Sequence, residues 1–108
     1  MAIIYLNGQY LPQKDAKISV LDRGFLFGDG VYEVVPVYNG HIIGLTQHLD
    51  RLKISLELIH MTAPLSKKQW QNVFDTLLEK NDKLQGTHGI YLQVTRGDET
   101  TRSHAIPT

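Results

Sequence analysis

The stretch VYEVVPVYNGHIIGLTQHLDRLKISLELI, residues 31–59, decides the architecture. Its first part, Val31 to Tyr38, is rich in β-branched and aromatic residues and reads as a strand. Asn39-Gly40 turns it, because both central positions of a type I′ turn need positive φ, and His41-Ile42-Ile43 returns. Pro36 lies inside this hairpin and has no N–H to give to a ladder, so it is expected at a bulge or an unpaired position. The period then changes. Leu49, Leu52, Leu56 and Ile59 recur at helical spacing and make one apolar face, with Thr46 as the expected N-cap.

Outward from this stretch the same signals repeat. Upstream, Ile3 to Leu6 and Gln9-Tyr10-Leu11 flank Asn7-Gly8, which predicts a second hairpin. Downstream, Met61-Thr62-Ala63-Pro64 ends the first helix. Ser66 with Gln69 has the form of a capping box and opens another helix, whose stripe is Trp70, Val73, Phe74, Leu77 and Leu78. Gly86 breaks the chain before the last strand. From His88 to Arg96 the residues alternate, with Ile90, Leu92 and Val94 on one face and Tyr91, Gln93 and Thr95 on the other. Strands grouped with strands and helices with helices predict an α+β domain of two layers, with two helices on one face of a mainly antiparallel sheet. The segment from Gly97 to Thr108 is polar and carries no element that closes the sheet. The expectation is therefore that residues 1–108 form a truncated N-terminal domain, and that the bare sheet edge makes the chain self-associate.

The charge balance narrows the function. Eleven basic side chains face 11 acidic ones, which gives no basic surface for nucleic acid or for a membrane. There is no cysteine, which removes disulfides, thiolate catalysis and thiolate-bound metal, and fits a cytoplasmic protein. The five histidines show no metal-binding spacing, and no metal is expected. No secretory signal opens the chain, and no apolar run approaches the roughly 20 residues that span a bilayer.

Three segments could carry chemistry. Asp22-Arg23-Gly24 and Phe27-Gly28-Asp29-Gly30 lead into Tyr32 and Glu33, which start a strand and point to opposite faces; a plain structural bend would give the same pattern. Arg51, in the first turns of the helix, could hold a phosphate bidentately or simply pair with Asp50 or another carboxylate. Arg102 and His104, two residues apart after the last strand, could clamp a carboxylate or lie in a solvated loop.

Together the segments resemble a known family. The run from Asp22 to Glu33, the helix start His48-Leu49-Asp50-Arg51-Leu52 with Ser55, and the strand Tyr91 to Gly97 are similar, in order and separation, to the signatures of the class IV (fold-type IV) pyridoxal-phosphate aminotransferases. Within that family the Arg102-x-His104 pair resembles the D-amino-acid aminotransferase branch, while the aminodeoxychorismate lyases and branched-chain aminotransferases are its neighbours. The resemblance implies a pyridoxal 5′-phosphate enzyme that moves an amino group between D-amino acids and 2-oxo acids. It implies that Arg51 binds the cofactor phosphate, that Tyr32, Arg102 and His104 trap the substrate carboxylate, and that Glu33 supports the site. It also implies a homodimer, with Arg102 and His104 serving the partner's site. None of the seven lysines, Lys14, Lys17, Lys53, Lys67, Lys68, Lys80 and Lys83, sits in a family motif. The catalytic lysine is thus expected downstream of Thr108, and the chain alone is expected not to transaminate. A non-catalytic module for dimerisation or phosphate-ligand binding is the alternative of another class.

Overall fold

The computed structural model describes residues 2–98. Strands β1 (Ile3–Leu6) and β2 (Gln9–Pro12) form the first hairpin. A short 3-10 turn and an extended loop lead to helix α1 (Arg23–Phe27), then β3 (Gly30–Tyr38), β4 (His41–Ile42), α2 (Leu45–Leu58), α3 (Lys67–Lys80) and β5 (Thr87–Thr95). Both Asn-Gly pairs have positive φ, 50° and 90° at Asn7-Gly8 and 47° and 80° at Asn39-Gly40, which is the backbone the hairpins required.

The sheet is split. β3 is the centre of a three-stranded antiparallel sheet in the order β4-β3-β5, whereas β1 and β2 form a separate two-stranded sheet. The core lies between the larger sheet and the two long helices. Val35, Val37, Ile90 and Leu92 come from the strands, Leu49, Leu52 and Leu56 from α2, and Trp70, Val73, Phe74 and Leu78 from α3. The period of 2 in β3 and β5 thus meets the period of 3.6 in the helices, as the apolar pattern demands.

Several local expectations change. α2 begins at Leu45 and is capped by Gly44 in the left-handed region, so Thr46 lies inside the first turn and is not the cap. The helix ends at Leu58, ahead of Met61. Pro36 is not at a bulge: it sits in register opposite Gly89. Its carbonyl accepts from the Ile43 N–H on the β4 side. In a strand N–H and C=O of one residue point the same way, so the missing donor faces the side where β4 stops and costs no ladder bond. The Ser66 capping box is formed as expected, Ser66 Oγ accepting from the Gln69 N–H and the Gln69 side chain accepting from the Ser66 N–H.

The first hairpin is tied to α3 by hydrogen bonds from the Asn81 side chain, beside the Tyr5 ring packed on the core and Lys80 over the Tyr10 ring. Asn81, just past the helix end, accepts from the Ile3 N–H at 2.8 Å and donates to the Ile3 carbonyl at 2.9 Å, completing a β-like pair from a side chain. Asn81→Ala should therefore loosen β1 and β2 without disturbing β3 and β5. Amide hydrogen exchange checks this: protection should fall across Ile3–Leu6 and persist across Thr87–Thr95.

Candidate functional site

The site grows from the way β3 is entered. Asp22 caps α1, its side chain accepting from the Gly24 N–H, and α1 closes on Gly28 in the left-handed conformation. The chain then packs hard against β5. A β-carbon on Gly30 would stand 2.6 Å from the Val94 carbonyl oxygen, so only glycine passes there. Asp29 between the two glycines is fixed from both sides. Its Oδ2 accepts from Arg23 Nε at 2.7 Å and from Arg96 Nε at 2.8 Å, and Arg96 also donates to the Ile59 carbonyl. The Arg23 guanidinium lies over the Phe27 ring. This cluster locks the α1 turn, the end of β5 and the end of α2 together, and it sets where β3 starts.

One turn of strand beyond Asp29 comes Glu33, a buried carboxylate at 4% exposure. It faces α2. Arg51 Nε donates to its Oε2 at 2.8 Å and Arg51 Nη2 to its Oε1 at 2.7 Å, while His48 Nδ1 lies 2.7 Å from Oε1. His48 and Arg51 are three residues apart and so share one face of the helix. The Arg51 side chain itself is 66% exposed. Its guanidinium meets Glu33 side-on, through Nε and Nη2. The second edge, Nη1 with the other Nη2 hydrogen, makes no hydrogen bond among the described residues and is free to take two oxygens of an anion. That is a guanidinium fork held at its root by a buried acid.

Tyr32 points to the other face of the sheet. It is exposed and stacks on Tyr91, ring centroids 5.7 Å apart. The two expected ligand-binding residues thus lie on opposite faces of the sheet. The outer edge of β3 beside them is unpaired among the described residues, because β4 pairs no further along β3 than Val37 and Tyr38. Arg102 and His104 lie outside the described residues. Asp50 pairs with Lys67, not with Arg51. Among the described residues no group of three or more histidine and acidic side chains could hold a metal ion, and no helix is long and apolar enough to cross a membrane.

The sequence reading did not give His48 a role, although its spacing to Arg51 was a signal for one. Nor did it foresee Arg23 and Arg96 as partners of Asp29, since nothing local links residues so far apart.

Both acids are held below the usual carboxylate range. For Glu33 the hydrogen bonds from Arg51 outweigh the desolvation that opposes them, and His48 adds to the effect. For Asp29 the hydrogen bond from Arg96 is the largest cause, desolvation opposes it, and Arg23 adds to it. Arg51 is pushed up in turn by Glu33. A carboxyl whose folded pKa is depressed contributes stability above its unfolded pKa and loses it as the pH falls through the folded value. The chain should therefore keep its stability down to about pH 5 and lose it progressively below that. Thermal melts between neutral and strongly acid pH check this, and Glu33→Gln should flatten the profile.

Comparison with known proteins places the chain in a family. The model of the family described as amino-transferase class IV matches residues 30–107, from the start of β3 onward. The D-alanine aminotransferase of Listeria monocytogenes (strain 10403S) is 39% identical over 104 residues, 96% of this chain and 35% of the relative. That of Staphylococcus epidermidis (strain RP62A) is 35% identical over 108 residues, all of this chain and 37% of the relative. The chain thus spans about a third of the length of these relatives. Among solved structures, a hypothetical aminotransferase from Mycobacterium tuberculosis, in its PLP-bound form, superposes with a TM-score of 0.77 at 22% identity, covering 95% of this chain and 36% of that one. A fold IV transaminase from Curtobacterium pusillum gives 0.73 at 26% identity, covering 85% and 32%. The expected fold, two long helices against an antiparallel sheet, is the one these structures share. With the family model matched over most of its length, and with relatives of this identity along nearly all of it, the chain belongs to the class IV aminotransferases.

Proposed function

We propose that this chain supplies the phosphate anchor and part of the substrate pocket of a pyridoxal 5′-phosphate enzyme that transfers amino groups between small D-amino acids and 2-oxo acids. One observation carries the reading: the Arg51 fork is gripped by buried Glu33 on one edge and open to solvent on the other. The residues fit a phosphate ester, since a guanidinium edge matches two phosphate oxygens and Glu33 keeps the fork from turning away. Glu33 is the supporting residue of this site. When bound, the cofactor supplies the electron sink for the amino-group chemistry.

The rest of the reading divides the work among other side chains. Tyr32, with Arg102 and His104 from the segment beyond β5, would hold the substrate carboxylate and so fix which face of the amino acid meets the cofactor. Tyr32 belongs to the length of β3 that β4 leaves unpaired, and a ligand reaching round that edge from Arg51 would come to its face of the sheet. The catalytic lysine belongs to the remaining length that the relatives have and this chain does not span, so the 108 residues alone would not turn over substrate. A homodimer in the cytoplasm is the assembly this reading assumes, with Arg102 and His104 directed to the partner's site.

The preference for D-amino acids rests on the D-alanine aminotransferases among the relatives. The experiment is an assay of the intact protein with D-alanine and 2-oxoglutarate, with L-leucine and 2-oxoglutarate, and with aminodeoxychorismate. Turnover of D-alanine is expected. Turnover of L-leucine alone would make it a branched-chain enzyme, and of aminodeoxychorismate alone a lyase. No turnover with any of them would favour a non-catalytic module.

A further inference from the structure

We propose that His48 is a positioning residue for the Arg51 anchor: it shares the Glu33 Oε1 with the guanidinium as a second, better buried donor, fixes the carboxylate, and so keeps the open edge of Arg51 aimed outward. The inference rests on the phosphate-anchor reading above and names what maintains it. Three contacts carry it, His48 Nδ1 to Glu33 Oε1, Arg51 Nη2 to the same Oε1, and Arg51 Nε to Oε2.

Glu33 is buried and its carboxyl has one rotatable plane. Arg51 by itself fixes that plane less well, because its own side chain is mostly exposed. His48 adds a second hold. Its side chain is 20% exposed, against 66% for Arg51, so it is the better fixed of the two donors. An ionised carboxylate only accepts hydrogen bonds, so His48 Nδ1 carries the hydrogen and donates it. The backbone that carries the ring is fixed by the start of its own helix, where the His48 N–H donates to the Gly44 carbonyl. The chain of support therefore runs from the first turn of α2 through the imidazole and the carboxylate to the guanidinium. A lysine in place of Arg51 would have no edge to aim, because an ammonium is a point charge.

The test is the affinity of the intact protein for pyridoxamine 5′-phosphate, which carries the phosphate without a covalent link to the protein, measured by calorimetric titration. His48→Leu should weaken binding about five-fold, the scale of one lost hydrogen bond. His48→Asn, whose amide nitrogen reaches the place of Nδ1, should restore most of it. In an Arg51→Lys background His48→Leu should change binding by less than about two-fold, since there is no coupling left to lose. Should His48→Leu fail to fold, His48→Ala takes its place. Equal weakening in the arginine and lysine backgrounds, or no recovery with asparagine, would mean that His48 serves stability alone and would overturn the inference. Unchanged affinity in His48→Leu would overturn it while a loss in Arg51→Ala left the phosphate anchor standing. Unchanged affinity in Arg51→Ala would remove both.

Discussion

Replacing Asp29 by alanine should cost the chain ~3–5 kcal/mol of folding stability, the range for removing one partner from a buried ion pair. The side chain is 12% exposed and its Oδ2 is shared by the guanidinium groups of Arg23 and Arg96, themselves 5% and 12% exposed. Alanine would leave two cations in a poorly hydrated place with their common acceptor gone. The loss would also be long-range. The Asp29 carbonyl accepts from the Arg96 N–H, and Arg96 reaches on to the Ile59 carbonyl, so the cluster ties the start of β3 to both β5 and the end of α2. Urea denaturation of the 108-residue chain would measure the effect. A cost below about 1 kcal/mol would mean that the cluster is solvated in solution and that the α1 turn is held by its backbone bonds instead. Asp29→Asn should fall between, since it keeps an acceptor oxygen and loses the charge.

Arg51→Ala should lower the affinity of the intact protein for pyridoxal 5′-phosphate at least about ten-fold, the least expected for a lost charge-assisted pair of hydrogen bonds. The fold should survive, because the side chain is mostly exposed and no core residue depends on it. What would change is Glu33. Without the guanidinium it remains buried with His48 as its partner, and its carboxyl should rise from its depressed value because the largest cause of the depression is gone. Dialysis followed by the cofactor absorbance would report retention, and circular dichroism would report the fold. Full retention of the cofactor would move the phosphate to another part of the molecule.

The two predictions differ in how far each could be seen beforehand. Arg51 stood out in the sequence as a guanidinium among the first turns of an amphipathic helix, and the resemblance to the class IV aminotransferases gave it a phosphate. Its pairing with a carboxylate was also foreseen as the alternative, though with Asp50 named first. The structure makes the two readings compatible. The carboxylate is Glu33, it takes one edge of the fork, and the other edge stays open. Asp29 was visible only as a residue between two glycines. That its partners would be Arg23 and Arg96 depended on the folded path of the chain.

The same division runs through the whole molecule. The residues by themselves determined the two Asn-Gly turns, the Ser66 capping box, the alternation in β3 and β5 and the apolar stripes of α2 and α3. Each of these is settled by neighbours within about one turn of helix or one strand pair, so the code for it is local. Tertiary structure decided that the first hairpin forms its own sheet and is bonded to Asn81, 78 residues from Ile3. It decided that Asp29 meets Arg96 across 67 residues, and that Glu33 turns inward to meet His48 and Arg51 on the helix 15 and 18 residues on. Those pairs form because burial strips water from charged groups and leaves each of them needing a partner, and which partner lies within reach is a property of the packed chain and not of any segment of it.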